Sequence, residues 1–247
     1  MKMSQSNEFA GRVVAVVGGN VGVGPAVVKA FQERGARVLV GSLPASASSE
    51  VTAETNSIPV DLADPLAASQ FLDECERRVG LVQILTMVAP PVETRDALAI
   101  SREHMQNVVN AELVGPACML QECARRLVSH KLEGRLISFV SMSGKTGAHK
   151  HVAPYAAAKG GLIAYSRVLA AELAGTGITV NMIATSLFEV QLAGKSDAAK
   201  ASLVAGIPTG RAGRSEEAAC AAMYLASEGS GYVTGETLNL SGGRFMD

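Results

Sequence analysis

Seven short apolar runs, rich in valine and isoleucine, recur along the chain with longer, helix-like stretches between them. They read RVVAVVG (12–18), ARVLVG (36–41), SIPV (57–60), VQILTMV (82–88), RLISFVS (135–141), ITVNMIA (178–184) and ETLNL (236–240). A strand covered on both faces reads as a near-continuous apolar run, whereas a half-solvated strand alternates with polar residues. No Asn-Gly or Asp-Gly step joins one run to the next, so β-α-β crossovers are expected rather than hairpins. The pattern predicts an α/β fold, a doubly wound parallel sheet of about seven strands with helices on both faces. With 247 residues and 48% hydrophobic content the chain is long enough for one sizeable core, and a single domain spanning 1–247 is expected. Only 185–207, TSLFEVQLAGKSDAAKASLVAGI, breaks the rhythm. It follows the sixth run, where ligand-binding loops of such sheets lie, and reads either as a mobile substrate loop or as a surface excursion.

Charge narrows the partners. The 22 Lys and Arg nearly balance the 23 Asp and Glu, and no basic block or aromatic stripe suggests nucleic acid. The N-terminus MKMSQSNEFAGR is polar, and no apolar run approaches the roughly 18 residues that cross a bilayer. The four cysteines, Cys75, Cys118, Cys123 and Cys220, form no C-x-x-C pair and read as reduced thiols of a cytoplasmic protein.

The first run leads into Gly18-Gly19-Asn20-Val21-Gly22-Val23-Gly24, followed by Pro25 and the helical AVVKAFQERG. Glycines at 18, 22 and 24 permit a tight turn and let backbone N–H groups approach a pyrophosphate at a helix N-terminus. Pro25 suits the first helical turn, where its missing N–H is unpaired anyway. In a chain with 25 glycines the spacing alone is weak; its position at the first strand-to-helix junction of a Rossmann-type sheet gives it weight. A dinucleotide is the expected cofactor, held by Gly18, Asn20, Val21, Gly22, Val23 and Gly24. The second strand ends at Ser42-Leu43 with no acid before Glu50. An acid there would serve the ribose hydroxyls of NAD(H), so its absence leans the expectation to NADP(H), although no Arg or Lys stands at Leu43 to attract a 2′-phosphate.

Further along, Tyr155 and Lys159 stand four apart in APYAAAK, which on a helix places them on one face. A neighbouring ammonium favours phenolate and lowers the phenol from its ordinary value of about 10, toward the range useful to a general acid or base. In a chain with four tyrosines the pair is no proof by itself. Upstream, the turn Val140-Ser141-Met142-Ser143-Gly144-Lys145-Thr146-Gly147 follows the fifth run. A serine there can hold a substrate carbonyl beside Tyr155, or merely cap a strand.

Taken together, Gly18-x-x-x-Gly22-x-Gly24, Asp61-Leu62, GRLISFVS, Tyr155-x-x-x-Lys159, GIPTGRAGRSEEAACAAMYLAS and YVTGETLNLSGG resemble the short-chain dehydrogenase/reductase family along essentially the whole chain, its 3-oxoacyl-reductase-like branch in particular. The resemblance implies an NAD(P)-dependent oxidoreductase interconverting a carbonyl and a secondary alcohol. Tyr155 is then the general acid or base, Lys159 lowers its pKa and holds the nicotinamide ribose, and Ser141, with Ser143 in reserve, orients the substrate oxygen. Asp61 and Leu62 fall on the adenine side, Val88 and Ala89 offer backbone contacts, and Thr185, Ser186 and Phe188 meet the nicotinamide end. A homo-oligomer, tetramer or dimer, is implied by the same analogy, and a 3-oxoacyl thioester, a cyclic alcohol or a sugar-like alcohol are the substrates it suggests.

The chain also departs from the family. Met87-Val88-Ala89-Pro90 replaces the usual Asn-Asn-Ala-Gly, and Glu112 replaces the fourth catalytic residue, normally Asn, with Asn110 a half-turn earlier. Thr185-Ser186 and Val190 replace a Pro-Gly and a Thr. Glu112 either joins the proton relay or only pairs with Lys159, leaving the relay to Asn110 or to water. His149 and His151 lack a cluster of Cys, Asp or Glu, so a substrate-side loop is preferred to a metal site. The rival expectation is a dinucleotide-binding sensor or scaffold of the same fold, with weak catalysis or none.

Overall fold

The computed structural model describes residues 7–44, 56–90, 92–147 and 149–246; Glu50, the first acid after the second run, lies outside them. All seven apolar runs are strands: β1 (Val13–Val17), β2 (Arg37–Ser42), β3 (Ser57–Pro59), β4 (Ile84–Met87), β5 (Gly134–Ser141), β6 (Ile178–Thr185) and β7 (Thr237–Leu240). They form one sheet in the order β3-β2-β1-β4-β5-β6-β7, with every pairing parallel. The order reverses between β1 and β4, and the crevice beyond their carboxyl ends is where such a sheet takes its ligand.

Strand parity explains why both faces are dry. Val13, Ala15, Val17, Leu39 and Leu85 point to one side, where they meet α2 (Ala67–Arg78), α4 (Gly115–Ser129) and α6 (Ala153–Glu172). Val14, Val16, Val38, Val40 and Ile84 point to the other, onto α1 (Gly24–Gln32) and α8 (Ser215–Ala226). The uniform apolar reading of β1, buried at all five positions, is the sum of these two alternating sets. On the α2–α4 side a second lock is ionic. The Arg126 guanidinium reaches Asp73 at 2.7 Å, Glu76 at 2.8 Å and Glu122 at 2.7 Å.

Two irregularities position the site. The long helical stretch after β4 is not continuous: α3 (Arg102–Val109) passes through a π-helical turn at Asn110–Val114 into α4. Pro116 has no N–H to give the Glu112 carbonyl, so the ladder slips by one residue and the Gly115 N–H bonds to the Asn110 carbonyl. The slip turns Glu112 into the protein while Asn110 stays exposed. Gly115 is fixed beside it because a Cβ there would stand 2.1 Å from the Leu62 carbonyl oxygen. The segment 185–207 contains a short 3-10 turn, Glu189–Leu192, and α7 (Asp197–Val204), whose N-cap Ser196 Oγ accepts from the Ala199 N–H at 3.4 Å.

Candidate active site

The glycine loop forms the floor of the crevice. Gly18 adopts φ 78° and lies so close to the next strand that a Cβ would stand 2.0 Å from the Val88 carbonyl oxygen. At Gly22, with φ 54°, the Cβ direction is open, the nearest atom being the Ala89 carbonyl oxygen at 3.9 Å. The N-terminus of α1 receives no side-chain cap at Val23. Its orphan N–H groups and positive dipole end therefore face the loop, the arrangement that receives a pyrophosphate. The cradle at Gly22, which any larger side chain would fill, fits a dinucleotide.

Around this floor several of the expected cofactor residues use their side chains within the protein. Asn20 turns its side chain away from the ligand side: its Nδ2 donates to the Leu43 carbonyl at 2.8 Å and its Oδ1 accepts from the Leu43 N–H at 3.0 Å. It thereby fastens the end of β2 to the loop, leaving only its backbone for a ligand. The Ser42 hydroxyl pairs with Ser57. Asp61 is exposed, with Oδ1 accepting from the Ala63 N–H at 2.9 Å, and Leu62 is buried against Gly115. Thr185 donates its hydroxyl to the Val140 carbonyl at 3.0 Å. Ser186 Oγ is buried without a partner among the described residues, on a residue that lines the cavity, and is free to bond a polar ligand there. Phe188 puts its ring into the core against Gly213, and its N–H is bonded to Gln191 Oε1 at 2.9 Å.

The candidate catalytic side chains meet where β5 ends. Ser141 is its last residue and caps α5 (Met142–Thr146), its Oγ accepting from the Ser143 N–H at 3.1 Å. Gly144 allows α5 to lie on α6, since a Cβ there would stand 2.7 Å from the Gly160 nitrogen and 2.8 Å from Lys159 Cβ. This close crossing brings the Ser141 hydroxyl near enough to the Tyr155 phenol to favour its ionised form. The Lys159 ammonium lies 5.6 Å from the Tyr155 ring centroid, as the i,i+4 spacing requires. It is fully buried and bonded to Glu112 Oε2 at 2.8 Å.

Electrostatics correct one expectation. Lys159 does not leave Tyr155 with a lowered pKa. Burial raises the half-buried phenol; Lys159 pulls it down, Glu112 pushes it up, the Ser141 hydroxyl lowers it slightly, and the balance is a raised value. Lys159 is held above the usual ammonium range: burial opposes its charge, and Glu112 with Tyr155 more than offset that. The alternative Asn110, exposed on the outer face of the π turn, does not reach Lys159.

Two cavities flank Tyr155. The first, ≈ 320 Å³, runs from Gly22, Val88 and Ala89 past Ser141 and Tyr155 to Gln191 and Arg244. The second, ≈ 360 Å³, lies on the α3 side and is lined by Glu112, His104, Asn107 and Tyr155. His149 bonds through Nδ1 to Ser143 Oγ at 2.9 Å and is held below the usual imidazole range by burial and by Arg244. The His151 carbonyl accepts from the Arg95 N–H at 2.8 Å. Sequence reasoning missed Gly160, Gln191, Arg244 and the second cavity. Only Gly160 left a trace in the sequence, as the small residue following Lys159.

The sequence model of a family described as enoyl-(acyl carrier protein) reductase matches residues 17–244. The 3-oxoacyl-(acyl-carrier-protein) reductase FabG of Escherichia coli K12 is 31% identical over 243 residues, covering 96% of this chain and 99% of that protein. Its namesake from Vibrio harveyi is 29% identical, covering 96% and 98%, and that from Rickettsia bellii 28%, covering 97% and 99%. No helix among the described residues is long and apolar enough to cross a membrane. The chain belongs to the short-chain dehydrogenase/reductase family, NAD(P)-dependent oxidoreductases that act on carbonyls and alcohols.

Proposed function

We propose that Tyr155 is the general acid in carbonyl reduction and the general base in alcohol oxidation. The observation that carries this is that Ser141 and Tyr155 share one cavity wall with Gly22, with the buried Lys159–Glu112 pair directly behind the phenol. Ser141 holds the carbonyl oxygen at the phenol. A nicotinamide dinucleotide seated on Gly18, Gly22, Gly24, Val88, Ala89 and Ser186 supplies the hydride that the carbonyl carbon accepts. Tyr155 gives its proton to the oxygen as the C=O π bond breaks. The phenolate left behind recovers a proton through Lys159 and Glu112, whose carboxylate opens on the second cavity and so on solvent.

NADP(H) is favoured over NAD(H), because no acid follows β2 among the described residues before Asp61. A 3-oxoacyl thioester is one substrate class, by the names of the relatives. The chain works in the cytoplasm, consistent with four free cysteines, as one domain whose segment 185–207 closes over the substrate. We assign it a homo-oligomer formed through α4 and α6, where Val128 and Val168 are exposed beside a groove containing Tyr165 and Leu169.

The test is a titration with NADH and NADPH, followed by a panel of ketones, alcohols, 3-oxoacyl thioesters and enoyl thioesters. Turnover of carbonyls, lost by a hundredfold or more in Tyr155→Phe, is expected. Unchanged turnover in that variant would remove Tyr155 from the mechanism.

A further inference from the structure

We propose that the substrate carries its own negative charge near the reacting carbonyl, a small oxo acid or the corresponding hydroxy acid, and that Arg244 is its anchor. This deepens the oxidoreductase reading and rests on it. The first cavity is lined by Lys150 and Arg244 and by no Asp or Glu. Unlike the guanidinium of Arg126, that of Arg244 has no carboxylate partner among the described residues. Arg244 is exposed at the rim of the cavity, where a cation with no carboxylate partner steers anions toward the opening.

The placement of Arg244 is specific. It follows β7 in the C-terminal turn, its guanidinium lies beside Gly206 at the end of the 185–207 segment, and its charge is felt at His149 on the loop before α6. Three loops therefore converge on one positive group. From the Ser141–Tyr155 pair, Ser143 and His149 continue the wall toward it, joined by their 2.9 Å hydrogen bond, and Gln191 faces them from the 3-10 turn. The planar guanidinium binds a carboxylate through two parallel hydrogen bonds, which fixes orientation as well as charge. Volume favours a short substrate. At ≈ 320 Å³ the cavity is near the lower end for ligand pockets, and the nicotinamide end takes the Val88–Ser186 part of it.

The experiment uses pyruvate, acetoacetate and levulinate, in which the carbonyl lies progressively further from the carboxylate, each against its methyl ester, with the wild type and with Arg244→Gln and Arg244→Lys. Turnover is followed by NAD(P)H absorbance, and binding to the NADP⁺-loaded protein by calorimetry. At least one acid is expected to exceed its ester tenfold or more in kcat/KM or in affinity. Arg244→Gln should collapse that ratio about tenfold or more, chiefly through KM, and Arg244→Lys should restore part of it. Equal handling of acid and ester in every pair overturns the proposal, as does a ratio that Arg244→Gln leaves intact. If esters are reduced freely and acids are not, the anion site fails while the oxidoreductase reading stands. If nothing on this panel turns over, the wider panel of ketones, alcohols and thioesters decides the oxidoreductase reading, and the calorimetric acid-to-ester ratio still decides the anion site.

Discussion

Glu112→Gln is the perturbation that most directly probes the altered site. The carboxylate stands 2.8 Å from an ammonium that is 5.6 Å from the Tyr155 ring centroid, so it lies within about 8 Å of that ring. At an effective dielectric constant of about 20, a unit charge at about 8 Å is worth about 2 kcal/mol at the phenol. Removing it makes the phenolate easier to form by a factor of about 10 to 30 at any pH below the titration. The acid limb of kcat/KM for alcohol oxidation should therefore move to lower pH, while the plateau falls because the group that exchanges protons with the second cavity is lost. Asn110→Ala, at an exposed position, should leave the limb where it is.

The same substitution carries a stability signature. Breaking a buried pair costs about 3–5 kcal/mol, and the glutamine oxygen still accepts from Lys159, so the lower end is expected. Lys159 is held above its ordinary value of 10.5. For a raised cationic group the stabilisation is complete below the unfolded value and is lost as pH climbs through the folded one. Urea unfolding should thus show the full loss at pH 7 and a shrinking loss in strongly alkaline buffer. An oxidation limb that stays fixed or moves upward in Glu112→Gln, with the fold intact by circular dichroism, would refute the electrostatic argument.

Three further outcomes follow from the geometry. Because Tyr155 is held above the ordinary phenol range, it is protonated at neutral pH: reduction should be flat across the neutral range and fall only in alkali, while oxidation should climb with pH, as parallel pH–rate profiles in the two directions will show. Gly144→Ala places a methyl group 2.7 Å from the Gly160 nitrogen. Separating α5 from α6 should cost about 1–3 kcal/mol in urea unfolding and lower activity by more than the stability loss accounts for, since Ser141 leaves Tyr155. Gly22→Ala forces a methyl-bearing residue to φ 54°, at about 1–2 kcal/mol, and fills the cradle. NADPH affinity measured by fluorescence should drop at least tenfold, with only that modest change in stability.

What the sequence revealed and what it hid divide along a physical line. All seven strands were legible because a sheet covered on both faces imposes a local signature, visible as runs such as Val13–Val17. Tyr155 and Lys159 were legible because both sit on one helix, and four residues along a helix is a fixed distance. Whatever depended on a second element was not. Asn20 reads as a cofactor residue within its own loop, yet its side chain is spent on the backbone of Leu43, just past the end of β2. Arg244 lies 89 positions from Tyr155 in the numbering, and no periodicity relates a C-terminal turn to the loop holding His149.

Glu112 lies between these cases, and the reason is instructive. Its replacement of an amide was plain in the sequence, but its orientation follows from a slip in the helix ladder that Pro116 enforces and Gly115 accommodates against Leu62. In a regular α-helix through 110–116 the intervening residues would take a different rotation, and Glu112 would not be fixed toward Lys159 in this way. The π turn thus makes the charge of Glu112 count at Tyr155. Replacing Pro116 with alanine restores the missing donor and allows the ladder to close regularly, so Pro116→Ala should weaken the Glu112–Lys159 pair without altering either side chain. The oxidation limb should then shift in the direction seen for Glu112→Gln, by a smaller amount. If Pro116→Ala leaves the limb unmoved while Glu112→Gln moves it, Gly115 and its contact with Leu62 hold the turn by themselves.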